Sequence, residues 1–377
     1  MSPVKVVIAI DSFKGCMTSV EANRAAAEGI RSVCPDAEIV QVPVSDGGEG
    51  FLEAFHAAIG GEILEVIVRD PLMRPITARY LLCGDEAVIE IAQASGLMLL
   101  TPEERNPMVA TSYGTGQLVA DAVRRGAKHV IVGLGGSATS DAGVRMLQAL
   151  IESLPPAPSH RGGVQRWDDV KEIRDVTFTI ATDVQNPLCG ENGAAQVFGP
   201  QKGATPEMVQ QLDERARRFA AESARHFGYD RSEMAGAGAA GGLGYAFLQY
   251  MDAGCRPGIE LLLDTIHFSE IVKDADLVIT GEGSADRQTL MGKLPIGILK
   301  QSGGVHSLRR AQCKRTSAQV PVCLIAGKVS DREPLLQAGF AHVECINPPG
   351  IALEEAMRKE VAERNIRQTI RRLCQLL

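Results

Sequence analysis

Residues 5–15 read KVVIAIDSFKG, a run of five apolar residues behind a lysine, closed by an aspartate, a serine, a lysine and a glycine. Both alternating faces of this run are apolar. That is the pattern of a strand buried on two sides, as in parallel sheets covered by helices. Four more runs repeat it: Glu38–Val44, Asp276–Thr280, Val320–Ala326 and His342–Ile346, each leading into a turn with Gly, Asp or Asn. Helical spacing fills Ser19–Cys34 and closes the chain, where Met357, Val361, Ile366, Ile370, Leu373 and Leu377 trace one face. The expected architecture is therefore α/β: a doubly wound, Rossmann-like domain built from both chain ends, 1–68 and 269–377, with a large second α/β domain, 69–268, inserted between them.

A length of 377 residues agrees with two domains, because single cores stop growing near 250–300 residues. The insert has its own strand candidates, Ala87–Ile91, His129–Val132 and Val176–Ala181, and helix candidates Gly116–Arg125, Ala142–Glu152 and Pro206–Phe227. Two stretches read as exposed loops, Leu154–Trp167 and Gln301–Gln319, and the basic residues of the second read as a solvated surface. The composition, 45% apolar and 23% charged, is that of a globular chain, and the net charge of −7 gives no footprint for nucleic acid or an anionic membrane. The nine cysteines show no C-x-x-C pair and no zinc-ligand spacing, which predicts reduced thiols in a cytoplasmic protein. The apolar run at 6–10 is too short for a signal-peptide core, and no stretch of about 18 apolar residues could span a bilayer.

In open α/β sheets ligands bind beyond the carboxyl ends of the strands, so the loops there carry the functional reading. In the first domain they are Asp11-Ser12-Phe13-Lys14-Gly15, then Ser45-Asp46-Gly47-Gly48-Glu49-Gly50, then Gly281-Glu282-Gly283-Ser284-Ala285-Asp286 with Gln288, Thr289 and Lys293 behind it. Glycines admit backbone N–H groups to phosphate, lysines neutralise it, and carboxylates hold Mg²⁺. Any one loop also reads as a tight turn capped by Asp or Ser; the three together favour a phosphate and metal site.

The insert adds four loops. Gly133–Asp141 (GLGGSATSD) lies between a strand and a helix and offers backbone donors and hydroxyls at a helix N-terminus. Thr182-Asp183-Val184-Gln185-Asn186 puts an aspartate just after a strand, placed to take a hydroxyl proton or to close a turn. Lys202, between Gly199 and Gly203, could reach a transferring phosphoryl group. Arg69 and Arg74, at the expected domain crossing, fit a carboxylate clamp and a hinge ion pair equally. Gly133–Ala138 also satisfies G-x-G-x-x-A, the dinucleotide fingerprint, whereas the G-x-G-x-x-G at Gly236–Gly241 lacks a preceding strand and reads as a turn into a tightly packed helix. There is no P-loop and no protein-kinase signature. Cys189 and the histidines read as packing or surface residues.

Taken as a set, DSFKG, SDGGEG, GTGQL, GLGGSATSDAG, ATDVQNPLCGE, FGPQKGA, AGAGAAGGLG and DLVITGEGSADRQTLMGK resemble the bacterial glycerate 2-kinase family, type 1, over about Lys5 to Gly350. The resemblance implies a two-domain kinase with an interdomain active-site cleft, ATP and Mg²⁺ as cosubstrate and cofactor, and 2-phosphoglycerate as product. The site residues expected on that basis are Asp183, Lys14 and Lys202 for catalysis; Gly135, Gly136, Ser137, Ala138, Thr139, Gly283 and Lys293 for nucleotide phosphates; Asp11, Ser12, Arg69, Arg74 and Asn186 for the acid; and Asp46 and Glu282 for Mg²⁺. Expected partners are glycerate and ATP only, in a monomer or a homodimer. Two positions depart from the pattern: Ser284 where a basic residue is common, and Ala142 where a glycine often follows the aspartate. The competing readings are a nicotinamide-dependent oxidoreductase, on the glycine matches, and a glycerate-binding sensor without turnover.

Overall fold

The computed structural model describes residues 3–45, 48, 50–154, 167–303 and 320–376. Its strands, in chain order, are β1 (Lys5–Ile10), β2 (Glu38–Gln41), β3 (Glu62–Arg69), β4 (Pro75–Cys83), β5 (Glu86–Glu90), β6 (His129–Gly133), β7 (Thr177–Ala181), β8 (Gly254–Arg256), β9 (Leu277–Ala285), β10 (Val322–Val329) and β11 (His342–Cys345). The chain forms a mixed α/β fold in two compact units, Met1–Asp46 with Ile259–Leu377, and Gly47–Gly258.

In the first unit five parallel strands run in the order β2-β1-β9-β10-β11. One face, through Val6, Ile8, Ile10, Ile279 and Ile325, packs on the Ser19–Arg31 and Lys359–Leu376 helices. The alternate residues Val7, Val278 and Leu324 are fully buried as well. Two buried faces explain why these strands read as continuous apolar runs. The two helices cross closely at Gly29, where a Cβ would sit 3.0 Å from the Arg367 carbonyl oxygen. A capping box starts the first of them, with Thr18 Oγ1 accepting from Glu21 N at 3.3 Å and Glu21 Oε2 from Thr18 N at 2.9 Å.

The second unit holds a six-stranded mixed sheet, β3-β4-β5-β6-β7-β8. Strand β4 is antiparallel to both β3 and β5, and β5 through β8 are parallel. Its core gathers Val119, Val132, Met146, Phe178, Ile180 and Phe247 around the parallel half.

The units divide earlier in the chain than the apolar runs suggested. Arg69–Pro75, expected as the crossing, is the turn of the β3–β4 hairpin and lies inside the second unit. Asp70 builds it: its Oδ1 accepts from Leu72 N and Arg74 N, both at 2.8 Å, and Met73 takes a left-handed φ of 65°. The division after Asp46 and after Gly258 leaves 47–68 with the second unit and 259–268 with the first.

Candidate active site

In the first sheet the chain reverses its direction of winding between β1 and β9, and a crevice beyond the carboxyl ends of such strands is where open α/β sheets take ligands. Asp11 stands at this point, 9% exposed, with its N–H donating to Gly281 O at 2.9 Å. The register Ile10↔Gly281 thus continues to Asp11 beside Glu282. Asp11 Oδ1 accepts from Ser12 N at 2.7 Å, and Lys14 is exposed on the turn closed by Phe13 and Met17. Glu282 is 7% exposed; the Thr289 hydroxyl donates to its Oε1 at 2.5 Å and Lys293 Nζ lies 3.7 Å from its Oε2. Thr289 Oγ1 in turn accepts from Asp286 N at 3.1 Å, so the loop after β9 is stitched to itself. Gly283 is exposed, and a Cβ there would meet nothing within 4 Å.

Asp46, the other expected Mg²⁺ ligand, lies outside the described residues. Among the described residues no group of three or more His, Cys, Asp or Glu could hold a metal ion. Asp11 and Glu282, at adjacent strand ends, supply two carboxylates, a number that suffices for Mg²⁺ when phosphate and water fill its other positions.

In the second unit the loop after β6 is fastened from three sides: Leu134 N donates to Ala181 O at 3.1 Å, Leu97 N to Gly136 O at 2.8 Å, and Ala138 N to Ser95 O at 2.8 Å. Gly136, at φ +71°, is exposed at its apex, while Ser137, Ala138 and Thr139 are buried. In the helix that follows, Val144–Ser153, several donors of the start expected to receive an anion are engaged within the fold. Its first donors are taken from within: Gly143 N by Asp141 Oδ1 at 3.1 Å and Met146 N by Ser112 Oγ at 3.0 Å, while Ser112 N and Oγ both donate to Asp141 Oδ2 at 2.9 Å. The Gly135–Gly136 backbone of the loop itself is accessible.

Lys202 is not extended toward a ligand. It is 2% exposed, and its Nζ donates to Ser137 Oγ at 2.8 Å and Thr139 O at 2.6 Å, so its amine supports the loop from behind. Burial pushes its ammonium down to about 7, the Asp141 carboxylate opposing that shift; burial pushes Asp141 itself up against the hydrogen bonds from Ser112 and Gly143. Because a solvated lysine keeps its proton to about 10.5, the unfolded chain binds one proton more than the folded chain between pH 7 and 10.5, and stability must rise with pH across that window. Urea midpoints of the wild type are expected to climb between pH 7 and 9.5, and those of Lys202→Met to climb less. Equal climbs would show that Lys202 titrates normally.

Asp183 follows β7, which pairs with β6 through Gly133↔Ala181, so the aspartate and the glycine loop leave adjacent strand ends. It is exposed, and its charge adds to burial in raising the Cys255 thiol, which places the two close together. Asn186, expected to touch the acid, donates from Nδ2 to Asn192 O at 2.8 Å, and its backbone carbonyl accepts from Gly238 N at 2.9 Å. Arg74 is likewise committed within the hairpin turn: Nε to Asp70 Oδ2 at 2.5 Å, Nη1 to Glu104 Oε1 at 2.7 Å and Nη2 to Leu99 O at 3.3 Å. The ion-pair reading of this arginine, not the carboxylate clamp, matches the geometry. Arg69 donates from Nη1 to Met73 O at 3.2 Å.

One feature escapes the sequence reading, and another, the tightly packed glycine turn, agrees with it. Arg256, at the end of β8, pairs with Ala181 and stands one strand over from Asp183; a three-residue strand carries no periodic signal. The segment Gly236–Gly242 is a clamp. Ala240, Gly241 and Gly242 all take left-handed φ, and a Cβ on Gly241 would lie 1.9 Å from Thr139 O, one on Gly238 2.3 Å from Pro187 O. This backbone is packed against backbone on both the β6 and β7 loops, so it offers no approach to a dinucleotide phosphate.

Known proteins were compared with the whole chain. A family model described as the glycerate kinase family matches residues 6–377. A Halalkalibacterium halodurans protein named glycerate kinase is 42% identical over 380 residues, covering 96% of this chain and 97% of its own. An Escherichia coli protein named glycerate 2-kinase is 37% identical over 386 residues, 97% of this chain and 98% of its own. A crystal structure of a glycerate kinase 2 from Salmonella typhimurium LT2 superposes with a TM-score of 0.79 at 38% identity, covering 99% of this chain and 98% of that one.

Proposed function

Since the chain belongs to the glycerate kinase family, and is thus a kinase with an alcohol group as acceptor, we propose that it moves the terminal phosphoryl group of ATP onto the 2-hydroxyl of glycerate to give 2-phosphoglycerate. The observation that carries this reading is the pairing of β6 with β7, which sets a glycine loop with an open backbone beside an exposed aspartate. In phosphoryl transfer there is little covalent work for a protein to do; positioning and charge neutralisation supply most of the rate. A fixed loop and a nearby proton acceptor are the parts this requires.

Asp183 accepts the proton of the attacking hydroxyl. The backbone of Gly135 and Gly136 holds nucleotide phosphate, and Ser137 to Thr139, locked by Lys202, keep that backbone in place. Lys202 is therefore a positioning residue and not a phosphoryl ligand. In the first unit Lys14 is the exposed cation for phosphate charge, Ser12 is a polar contact for the acid, Gly283 is open to phosphate, and Lys293 is a second cation beside Glu282. Asp11 and Glu282 would hold Mg²⁺, which would supply positive charge to offset that of the phosphates. The nicotinamide-dependent alternative has no support, since one of its two glycine matches is the packed clamp and the family is one of kinases. A cytoplasmic location is part of the proposal, supported by eight unpaired cysteines among the described residues. No described helix is long and apolar enough to cross a membrane.

The test is incubation of the purified protein with ATP, Mg²⁺ and D-glycerate, the product being assigned by phosphorus NMR. A 2-phosphoglycerate resonance is expected. A 3-phosphoglycerate resonance would overturn the regiochemistry, and ADP without phosphoglycerate would overturn the acceptor.

A further inference from the structure

We propose that a cavity in the second unit, of about 500 Å³, seats the adenosine half of ATP. It lies among residues 107–111, the start of the Val144–Ser153 helix and the Pro206–Phe227 helix, and Ser140, Asp141 and Ala142 form part of its lining. Those three residues continue directly from the Gly135–Thr139 loop. A nucleotide whose phosphates lie on that loop therefore has a hollow within reach for its base and sugar. The inference rests on the kinase reading above and names the part of the protein that takes the nucleoside.

Three observations select the ligand class. The volume is within the range of small-molecule sites, about 300–1,000 Å³. Much of the wall is apolar, with Met108, Leu212, Ala216 and Phe219, which suits a flat heteroaromatic base and leaves nothing for a three-carbon acid to cover. The polar groups are few and available. Ser140 Oγ is buried without a hydrogen-bond partner, a state that costs about 1–3 kcal/mol and that a base or ribose group would relieve. Arg145 and Arg215 line the cavity from exposed positions, and among the described residues neither is in an ion pair with a carboxylate. Arg145 donates from Nη1 to Gln148 Oε1 at 2.6 Å and keeps its other donors, and the two guanidinium groups beside an apolar hollow fit a ligand with a neutral, flat end and a polyanionic end.

The experiment fills the cavity and, separately, reverses its charge. Ala216→Trp occupies the space, and Arg215→Glu on the exposed surface tests the same site without disturbing packing. ATP and glycerate KM values are measured for each, together with ADP binding by titration calorimetry. Expected is a rise of about tenfold or more in the ATP KM and ADP Kd for Ala216→Trp, and of about threefold for Arg215→Glu, with the glycerate KM within about twofold. Arg225→Ala, which removes a charge from the far end of the same helix, should leave both KM values unchanged. Unchanged ATP KM in both cavity variants would overturn the proposal, as would a rise in the glycerate KM alone. If the wild type turns over no ATP with glycerate, yet ADP binding is still lost in Ala216→Trp, the cavity assignment stands and the kinase reading falls.

Discussion

Gly241→Ala is expected to cost about 2–5 kcal/mol, a large share of the roughly 5–15 kcal/mol that ordinarily keeps a protein folded. Two penalties add. The residue sits at φ +67°, where an L side chain costs roughly 1–2 kcal/mol. The new methyl would lie 1.9 Å from Thr139 O and 2.8 Å from Ser140 Cα, both backbone atoms of a loop that is itself pinned, and overpacking of this kind costs about 1–3 kcal/mol or more. The strain cannot relax locally, because Thr139 O is also the acceptor for the buried Lys202 ammonium. Any shift that makes room for the methyl therefore loosens the loop proposed to hold phosphate. Urea unfolding of Gly241→Ala beside Gly283→Ala separates this from a general intolerance of glycine replacement. At Gly283 a Cβ meets open space, and the midpoint should move by no more than about 0.5 kcal/mol. An unchanged midpoint in Gly241→Ala would show that the clamp is soft.

The clamp reads in sequence as a tightly packed turn; elsewhere legibility varies from element to element. Val- and Ile-rich runs located β1, β9 and β10 because a strand buried on both faces has no polar positions to confuse the pattern. The Pro206–Phe227 helix was placed at its observed ends, since Thr205 caps it and Gly228 stops it in a left-handed conformation. The β3–β4 hairpin was missed for the opposite reason. Its strands are partly exposed, with Ile67 at 76%, and the turn between them, with two prolines and two arginines, looks like a crossing between domains until Asp70 is seen to bond its own backbone.

For the site, sequence supplied the loops but not the direction of their side chains. Lys202 between two glycines has the look of a mobile phosphate contact. Only burial shows that its amine faces inward, because Gly203, at φ +91° and with a Cβ that would meet Arg105 O at 2.4 Å, fixes the turn against other backbone. Ala142 is the converse case. It was recognised as standing where glycine is usual, and it does adopt φ 53°, a conformation that favours glycine.

Asp183→Asn is expected to lower kcat by about 10²–10⁴-fold, the range for loss of a positioned general base. Asparagine keeps the size and can accept a hydrogen bond, but it cannot take up the hydroxyl proton as a carboxylate does. The residue is exposed, so the unfolding midpoint should not move by more than about 0.5 kcal/mol, and the ATP KM should hold, because no nucleotide contact is removed. A loss of kcat without a loss of stability would separate a catalytic aspartate from one that merely closes the turn after β7. Cys255 gives an independent check that the substitution acts where intended. Burial and the Asp183 charge together raise its thiol, so removing the charge should lower its pKa and speed its alkylation by iodoacetamide near pH 8, read by mass spectrometry on the Cys255 peptide. Faster alkylation with kcat intact would mean that the carboxylate is in place but is not the base, and the proton would then have to leave by another acceptor at the adjoining strand ends.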